Sequence, residues 1–152
     1  MLKNSDELNG MREAGKLAAE VLEMITDYVK PGISTGELDE ICFKYITDVQ
    51  KAIPANVGYR GFEKTLCTSI NQVICHGIPD TNRILKSGDI MNIDVTVIKD
   101  GWHGDTSKMF LIGKAQSHNE RLVRVTQECL YKGIEAAKPG ARLGDIGNAI
   151  QI

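Results

Sequence analysis

The spacing of apolar residues predicts two helices in the first third of the chain. Beyond Ser5-Asp6, a good N-cap pair, apolar side chains recur at three- and four-residue intervals as far as Val29. Pro31-Gly32 ends this helix, because proline cannot continue the hydrogen-bond ladder and glycine tolerates the turn that follows. Residues 34–37 form a capping box, in which Ser and Glu satisfy each other's free N–H groups, and a second periodic run follows to Val49.

Further along, the pattern changes to strands and then back to helices. Short apolar runs predict strands over 66–70 and 73–75, and alternation of apolar and polar residues predicts two longer strands over 90–98 and 102–112. Residues 117–120, Ser-His-Asn-Glu, form another capping box and open a third helix that Lys138-Pro139-Gly140 stops. A fourth helix begins near Leu143 and still continues at Ile152.

Two segments 108 positions apart resemble each other. Residues 30–38, KPGISTGEL, and 138–146, KPGARLGDI, share Lys, Pro and both Gly, and each links one amphipathic helix to the next. A structural duplication explains the match, as would ordinary helix-turn-helix punctuation. A duplication predicts one domain, with a first pseudo-repeat over 1–112 and the start of a second over 113–152. A second strand block would bring the length to roughly 220 residues, so we expect the domain to be incomplete.

Composition restricts the class of protein. The 152 residues carry 18 Lys plus Arg against 20 Asp plus Glu, a net charge of −2, and show no basic footprint for nucleic acid or an anionic membrane. No apolar run is long enough to span a membrane, and the N-terminus lacks the apolar stretch of a signal peptide. Without C-x-x-C spacing, the cysteines predict reduced thiols, mostly packed as small apolar side chains in a cytoplasmic protein. They are Cys42, Cys67, Cys75 and Cys129.

The predicted hairpin over 90–112 carries the densest chemistry. Its first strand has a core face and a polar face, formed by Met91, Ile93, Val95 and Val97 and by Asn92, Asp94 and Thr96, respectively. With 99–100 as the two-residue loop, Asp94 lies opposite Asp105; with 100–101 as the loop, Asp94 faces Ser107 and Asp105 faces Thr96. In both registers the two aspartates share one sheet face, whereas a three-residue loop would separate them.

Two adjacent aspartates repel each other, so we expect a neighbouring feature to offset the energy of that repulsion. A solvated outer face would tolerate the pair, and a cation between the carboxylates would neutralise it. Rigid adjacent strands suit a two-metal site, and oxygen ligands favour Mg, Mn, Fe or Co over a thiolate-type zinc site. Because two ligands are too few for such a site, others would have to come from elsewhere.

The histidines are weaker candidates. His76 follows Cys75 at the end of an apolar stretch, where a structural role at a strand end is the default and a catalytic role the alternative. Neighbours on a strand point to opposite faces, which disfavours a Cys-His nucleophile and base. His103 shares a face with Asp105, as a metal ligand or as polar surface, and His118 lies at a helix start. The fingerprints of nucleotide-binding loops and serine hydrolases are missing from the sequence.

Four long motifs, in order along essentially the whole chain, resemble type I methionine aminopeptidases of the bacterial kind. They are KPGISTGEL at 30–38, SINQVICHGIP at 69–79, LKSGDIMNIDVT at 85–96 and GWHGDTS at 101–107. The resemblance implies the N-terminal half of a pita-bread α/β fold, with an antiparallel sheet, flanking helices and a pseudo-two-fold axis. It also implies that the initiator methionine of nascent polypeptides is removed by water activated at a two-metal site of two Asp, one His and two Glu.

The resemblance assigns roles to residues of this chain. Asp94 would chelate one metal and Asp105 would bridge both. His76 falls on the histidine that contacts the substrate near the scissile bond and steadies the tetrahedral intermediate. The pocket for the methionine side chain and the backbone site for a monovalent cation are implied at Tyr59, Phe62 (often tyrosine in relatives) and Cys67, and at Asn71 and Val73, respectively.

The family's metal-binding histidine and both glutamates, one of them the general base, lie in a second half that these 152 residues do not include. The resemblance therefore implies a truncated catalytic domain that alone binds metal weakly and has little or no activity. Co, Mn, Fe and Zn all suit the ligand set. The expected partners are N-terminal methionyl peptides, with ribosome association open and no nucleic acid or membrane predicted. The full-length form is expected to be a monomer; the alternatives are a non-catalytic binding module and a self-associating half-domain.

Overall fold

Strand β3 (Ile90–Lys99) is the centre of the sheet in the computed structural model, which describes residues 4–152. Its antiparallel partner β4 (Trp102–Leu111) covers one edge along the full length. The other edge is shared by β1 (Ile53–Pro54), opposite Val97 and Ile98, and β2 (Leu66–Ile70), opposite residues 91–95. The two long strands and β2 agree with the predicted elements.

Helix α1 (Ser5–Ile25) packs on the sheet, whereas α2 (Thr35–Lys44) continues into a π-helical turn, Tyr45–Val49. The N-cap of α1 is Asn4, whose side chain accepts the Glu7 N–H, so the predicted cap at Ser5-Asp6 is one residue late. The helix ends four residues before Val29. Beyond it, Gly32 and Thr35 donate backbone N–H bonds to the distant carbonyls of residues 85 and 83, and this non-local pairing draws the chain away from the helical path.

Helix α2 begins with the predicted capping box. The Ser34 N–H donates to the Glu37 carboxylate at 2.9 Å, and the Glu37 N–H donates to the Ser34 hydroxyl at 3.1 Å. The capping box predicted at 117–120 is wrong. Helix α3 (Ser117–Ala136) has Gln116 as its N-cap, without a side-chain cap bond. Ser117 is already the first residue of the helix, so it does not occupy the N-cap position.

The predicted strand at 73–75 is also wrong. The chain turns at Asn71, whose φ is +53°, and the Val73 N–H bonds back to the Ile70 carbonyl at 3.1 Å. Ile74 is 94% exposed, so the apolar run that predicted a strand has no core to face. The free cysteines agree with the predicted thiols, although Cys75 is exposed and Cys129 only partly buried.

The chain forms two compact units that divide between Lys114 and Ala115. In the second, α3 is followed by α4 (Leu143–Gln151), and Gly133 of α3 lies against Ile146 and Ile150 of α4. Among residues 4–152, no helix has the length and apolar character needed to cross a membrane.

The two similar segments also share local geometry. Gly32 and Gly140 both have positive φ, +98° and +90°. The N–H of residue 34 donates to the acidic side chain of residue 37, and 108 positions later the N–H of residue 142 donates to the acidic side chain of residue 145, at 2.8 Å. This agreement supports the predicted duplication, which remains a prediction.

The core lies between α1, α2 and the apolar face of β3. Every second residue of β3 from Met91 to Val97 is fully buried, as the alternation predicted. Helix α1 approaches the hairpin closely at Gly104, where a Cβ would lie 2.0 Å from the Ala14 carbonyl oxygen. The missing side chain therefore sets the distance between α1 and β4.

Replacing Gly104 with alanine should lower the free energy of unfolding by about 1–3 kcal/mol, because backbone on both sides must move. Gly15→Ala, next to Ala14 on α1, is the matched control, since a Cβ at this position would meet nothing within 4 Å. Helix propensity should make this control neutral or up to about 1 kcal/mol more stable. Urea unfolding of both variants measures the difference, and an unchanged midpoint for Gly104→Ala would contradict the close packing.

Candidate metal centre and substrate cavity

The turn between β3 and β4 determines where the two aspartates lie. Asp94 pairs with Ser107 and Thr96 pairs with Asp105, so Asp100 and Gly101 are the two loop residues. Both loop residues have positive φ, +50° and +85°, as a tight turn matched to the strand twist requires. This is the second of the two predicted registers. In it Asp94 lies diagonally across from Asp105, and the two aspartates remain on one sheet face.

Six of the predicted site residues line one cavity of about 550 Å³, which is within the usual size of a small-ligand site. They are Tyr59, Phe62, Cys67, His76, Asp94 and Asp105. The lining also includes four residues that were not predicted as site residues: Asn56, Arg60, Ile78 and Thr96. Thr96 could have been identified, because it lies on the same polar face of β3 as Asp94. The other three come from loops without a periodic signal.

Cys67 reaches the cavity through β2, where it is the direct partner of Asp94. The start of β2 is held by Asp39 of α2. One carboxylate oxygen of this buried aspartate accepts the N–H groups of Thr65 at 2.8 Å and Leu66 at 2.9 Å. Burial raises the pKa of Asp39, and the two hydrogen bonds act in the opposite direction. A buried carboxylate therefore positions the strand that carries Cys67.

His76 lies in an exposed loop and not at the strand end predicted for it, because the strand expected at 73–75 does not form. Its φ is +56°, an uncommon value for a residue other than glycine. The next residue, Gly77, lies so close to β2 that a Cβ would be 2.1 Å from the Thr68 carbonyl oxygen, and the Thr68 N–H donates to the Gly77 carbonyl at 2.7 Å. This close contact holds the loop against β2 and directs His76 to the cavity.

The loop that carries Tyr59 and Phe62 is closed by its own backbone. Gly58 and Gly61 have φ of +84° and +83°, and the Gly58 N–H donates to the Phe62 carbonyl at 2.7 Å. The Asn56 side chain ties the loop to the start of β2 by donating to the Thr65 carbonyl at 3.0 Å. The two aromatic rings thus form a wall of the cavity through local turn chemistry.

The electrostatics follow from the aspartate pair. Burial raises the pKa of Asp94, the charge of Asp105 and a hydrogen bond with it raise it further, and the charge of His76 lowers it. Burial also raises the pKa of the Cys67 thiol, and the nearby Asp94 adds to the effect. The Cys67 thiol is therefore protonated near neutral pH, and it forms part of the cavity wall rather than a nucleophile.

A divalent cation fits the carboxylate pair in part. Two carboxylates on adjacent strands supply oxygen donors, and a cation would remove the repulsion that adds to burial in raising the pKa of Asp94. Within residues 4–152, however, there is no cluster of three or more His, Cys, Asp or Glu side chains able to hold a metal. The exposed His103 pairs with Ile98 and is not among the cavity residues.

The two residues predicted to hold a monovalent cation lie in the turn after β2, outside the cavity lining. The Asn71 side chain accepts the Ile90 N–H at 3.1 Å and donates to Asp89 at 2.9 Å. Val73 follows it in the same turn. The role of their carbonyl groups stays a prediction.

Comparison with known proteins identifies the class of protein: residues 9–152 match the metallopeptidase family M24, and the chain belongs to that family. Among its relatives is the methionine aminopeptidase of Salmonella typhimurium, which is 62% identical over 150 residues. That match covers 99% of this chain and 57% of the relative, so the chain spans little more than half the length of the curated relatives it matches.

Solved structures show the same relation. The methionine aminopeptidase of Rickettsia prowazekii superposes with a TM-score of 0.95 at 53% identity, covering 99% of this chain and 60% of that one. The methionine aminopeptidase of Thermotoga maritima has a TM-score of 0.94 at 33% identity, with the same coverage of 99% and 60%. The predicted resemblance and the predicted pita-bread fold, with its antiparallel sheet and flanking helices, are both confirmed.

The aspartate pair should make the metal-free chain less stable at neutral pH. Asp94→Asn removes one of two repelling charges and should raise the free energy of unfolding by up to about 1 kcal/mol near pH 7. Because the pKa of Asp94 is raised in the folded state, the repulsion is present above that pKa and is lost as the pH falls. The gain should therefore shrink in acid.

Urea unfolding at a series of pH values in the presence of a chelator measures this effect. Asp27→Asn, at an exposed carboxylate outside the cavity, is the control and should leave the stability unchanged. A loss of stability on Asp94→Asn at neutral pH would show that the two carboxylates do not repel each other.

Proposed function

We propose that this protein removes the N-terminal initiator methionine from nascent polypeptides in a metal-dependent reaction. The observation that carries the proposal is the convergence of six predicted site residues, drawn from two loops and from strands β2, β3 and β4, on one cavity that contains both aspartates. The similarity to methionine aminopeptidases over 99% of the chain supports it. We further propose that the protein is cytoplasmic, in keeping with its four free cysteines.

In this proposal the cavity binds the methionyl end of the substrate. Tyr59, Phe62 and the neutral Cys67 thiol form an apolar wall of suitable chemistry for a thioether side chain. His76, directed at the cavity from its strained loop, donates a hydrogen bond to the carbonyl oxygen of the scissile bond as negative charge develops there. The close contact at Gly77 keeps that donor in position.

Asp94 and Asp105 would hold divalent metal, which the metallopeptidase family implies. When bound, Co, Mn, Fe or Zn would supply a Lewis acid that activates water near neutral pH. The described residues provide two of the ligands for a two-metal centre, and a monovalent cation at the Asn71 and Val73 carbonyls is a further part of the proposal. We therefore expect this chain alone to bind metal weakly and to show little or no turnover.

A binding experiment on the 152-residue chain tests the proposal without requiring turnover. Mn²⁺ should broaden the NMR signals of the amides around Asp94 and Asp105, and Asp94→Asn should abolish the effect. With diamagnetic Zn²⁺, Met-Ala-Ser-amide should shift the amide signals of Tyr59, Phe62 and Cys67. The control peptide Gln-Ala-Ser-amide should shift them far less, because its polar side chain cannot hydrogen-bond to the apolar wall. Equal shifts from both peptides would refute the proposal.

Self-association is a second candidate, favoured by the exposed apolar side chains of α3. Four of them are more than half exposed: Leu122, Leu130, Tyr131 and Ile134. A second copy of the chain would cover this stripe, so sedimentation velocity should show a dimer whose fraction rises with concentration. The double variant Leu130→Glu/Ile134→Glu should restore the monomer, and a monomeric wild-type chain at all concentrations would exclude this candidate.

A further inference from the structure

Arg60 is a cavity residue that the proposed reaction does not use. Its side chain lines the same cavity as Asp94 and Asp105, and it brings a permanent positive charge to a site whose other permanent charges are negative. No motif identified it in the sequence, because it lies in a glycine-rich loop without periodicity. The question is what ligand chemistry a guanidinium at this position would recognise.

The backbone at Arg60 is strained. Its φ is +50°, between two glycines with positive φ, Gly58 and Gly61, and the loop is closed by the Phe62 N–H, which donates to the Tyr59 carbonyl at 3.0 Å. A residue other than glycine is disfavoured in this conformation. Strained positions of this kind are frequent at ligand sites, where the surrounding structure maintains them.

The guanidinium is held but not neutralised. Its carbon lies 5.5 Å from the centre of the Tyr59 ring, so one face of the group is oriented by stacking while its edge remains available. In the part of the chain that the structure describes, the ion pairs are Lys16–Glu20 and Arg124–Glu128, and neither involves Arg60. An oriented guanidinium with free N–H groups is a donor for a planar carboxylate, which accepts two parallel hydrogen bonds.

We propose that Arg60 selects peptides that carry a carboxylate close to the methionyl residue, either an acidic side chain at the third position or the C-terminal carboxylate of a short peptide. This inference rests on the proposed function, because the methionyl end must occupy the wall at Tyr59 and Phe62 for the carboxylate to reach Arg60.

The test compares matched peptides by NMR titration of the chain in the presence of Zn²⁺. Met-Ala-Asp-amide and Met-Ala-Asn-amide differ in a side-chain carboxylate, and Met-Ala-Ala with a free or an amidated C-terminus differs in the terminal one. The wild-type chain should bind at least one acidic member about three- to tenfold more tightly than its neutral partner, as expected for a charge-assisted pair at a partly exposed site. The pair that shows the preference identifies the source of the carboxylate.

Arg60→Gln should abolish the preference and leave the affinity for the neutral peptides within about twofold, whereas Arg60→Lys should retain part of it because the charge remains. Added salt should weaken the preference in the wild-type chain. Arg12→Gln is the matched control, since Arg12 lies on α1 and is not among the cavity residues, and it should keep the full preference.

The outcomes separate the two hypotheses. If the neutral methionyl peptides bind but neither acidic partner binds more tightly, or if the preference survives in Arg60→Gln, the role of Arg60 is overturned and the proposed function stands. If no methionyl peptide binds to the wild-type chain with Zn²⁺, the proposed function fails and the role of Arg60 fails with it.

Discussion

The register between β3 and β4 determines both the core and the cavity, because side chains alternate between the two faces of a sheet. In the observed register Asp94 pairs with Ser107 and Asp105 with Thr96, while Val95 between them is fully buried. A slip by one residue would bring an aspartate into the core and an apolar side chain into the cavity. The two-residue turn at Asp100-Gly101 holds this register, and burial of the apolar face penalises any other.

Close backbone contacts at two glycines allow a helix and a loop to pack tightly against the strands of the sheet. Gly104 lets α1 approach β4 on the core side, and Gly77 lets the loop with His76 lie against β2 beside the cavity. Two residues with left-handed backbone, Arg60 and His76, line that cavity. Their conformations are maintained by the loops around them, so the geometry of the site depends on packing that is stable elsewhere. The aspartate pair adds a further unfavourable contribution, which a bound cation would offset.

Much of the architecture could be predicted from local patterns. The alternation over 90–98 identified β3 and its buried face, and the capping box at Ser34 identified the start of α2. The helix end expected near Val29 and the strand at 73–75 were wrong, because both depend on contacts with distant segments: residues 80–85 pair with the loop after α1, and no core covers Ile74. Periodicity indicates which side chains are suited to the core, but it does not indicate which distant segment packs against them.

The sequence by itself determined the class of protein and the chemistry available to it: the motifs around Asp94, Asp105 and His76, the two strands that carry the aspartates, and the two registers open to their hairpin. Only the tertiary structure decided which register is adopted, brought β2 and the loops with Tyr59 and His76 to the same cavity as the hairpin, and revealed Arg60 on its wall. The reason is physical. Turn chemistry and side-chain alternation are encoded within a few residues, whereas the meeting of four separate segments is decided by how helices and sheet pack together.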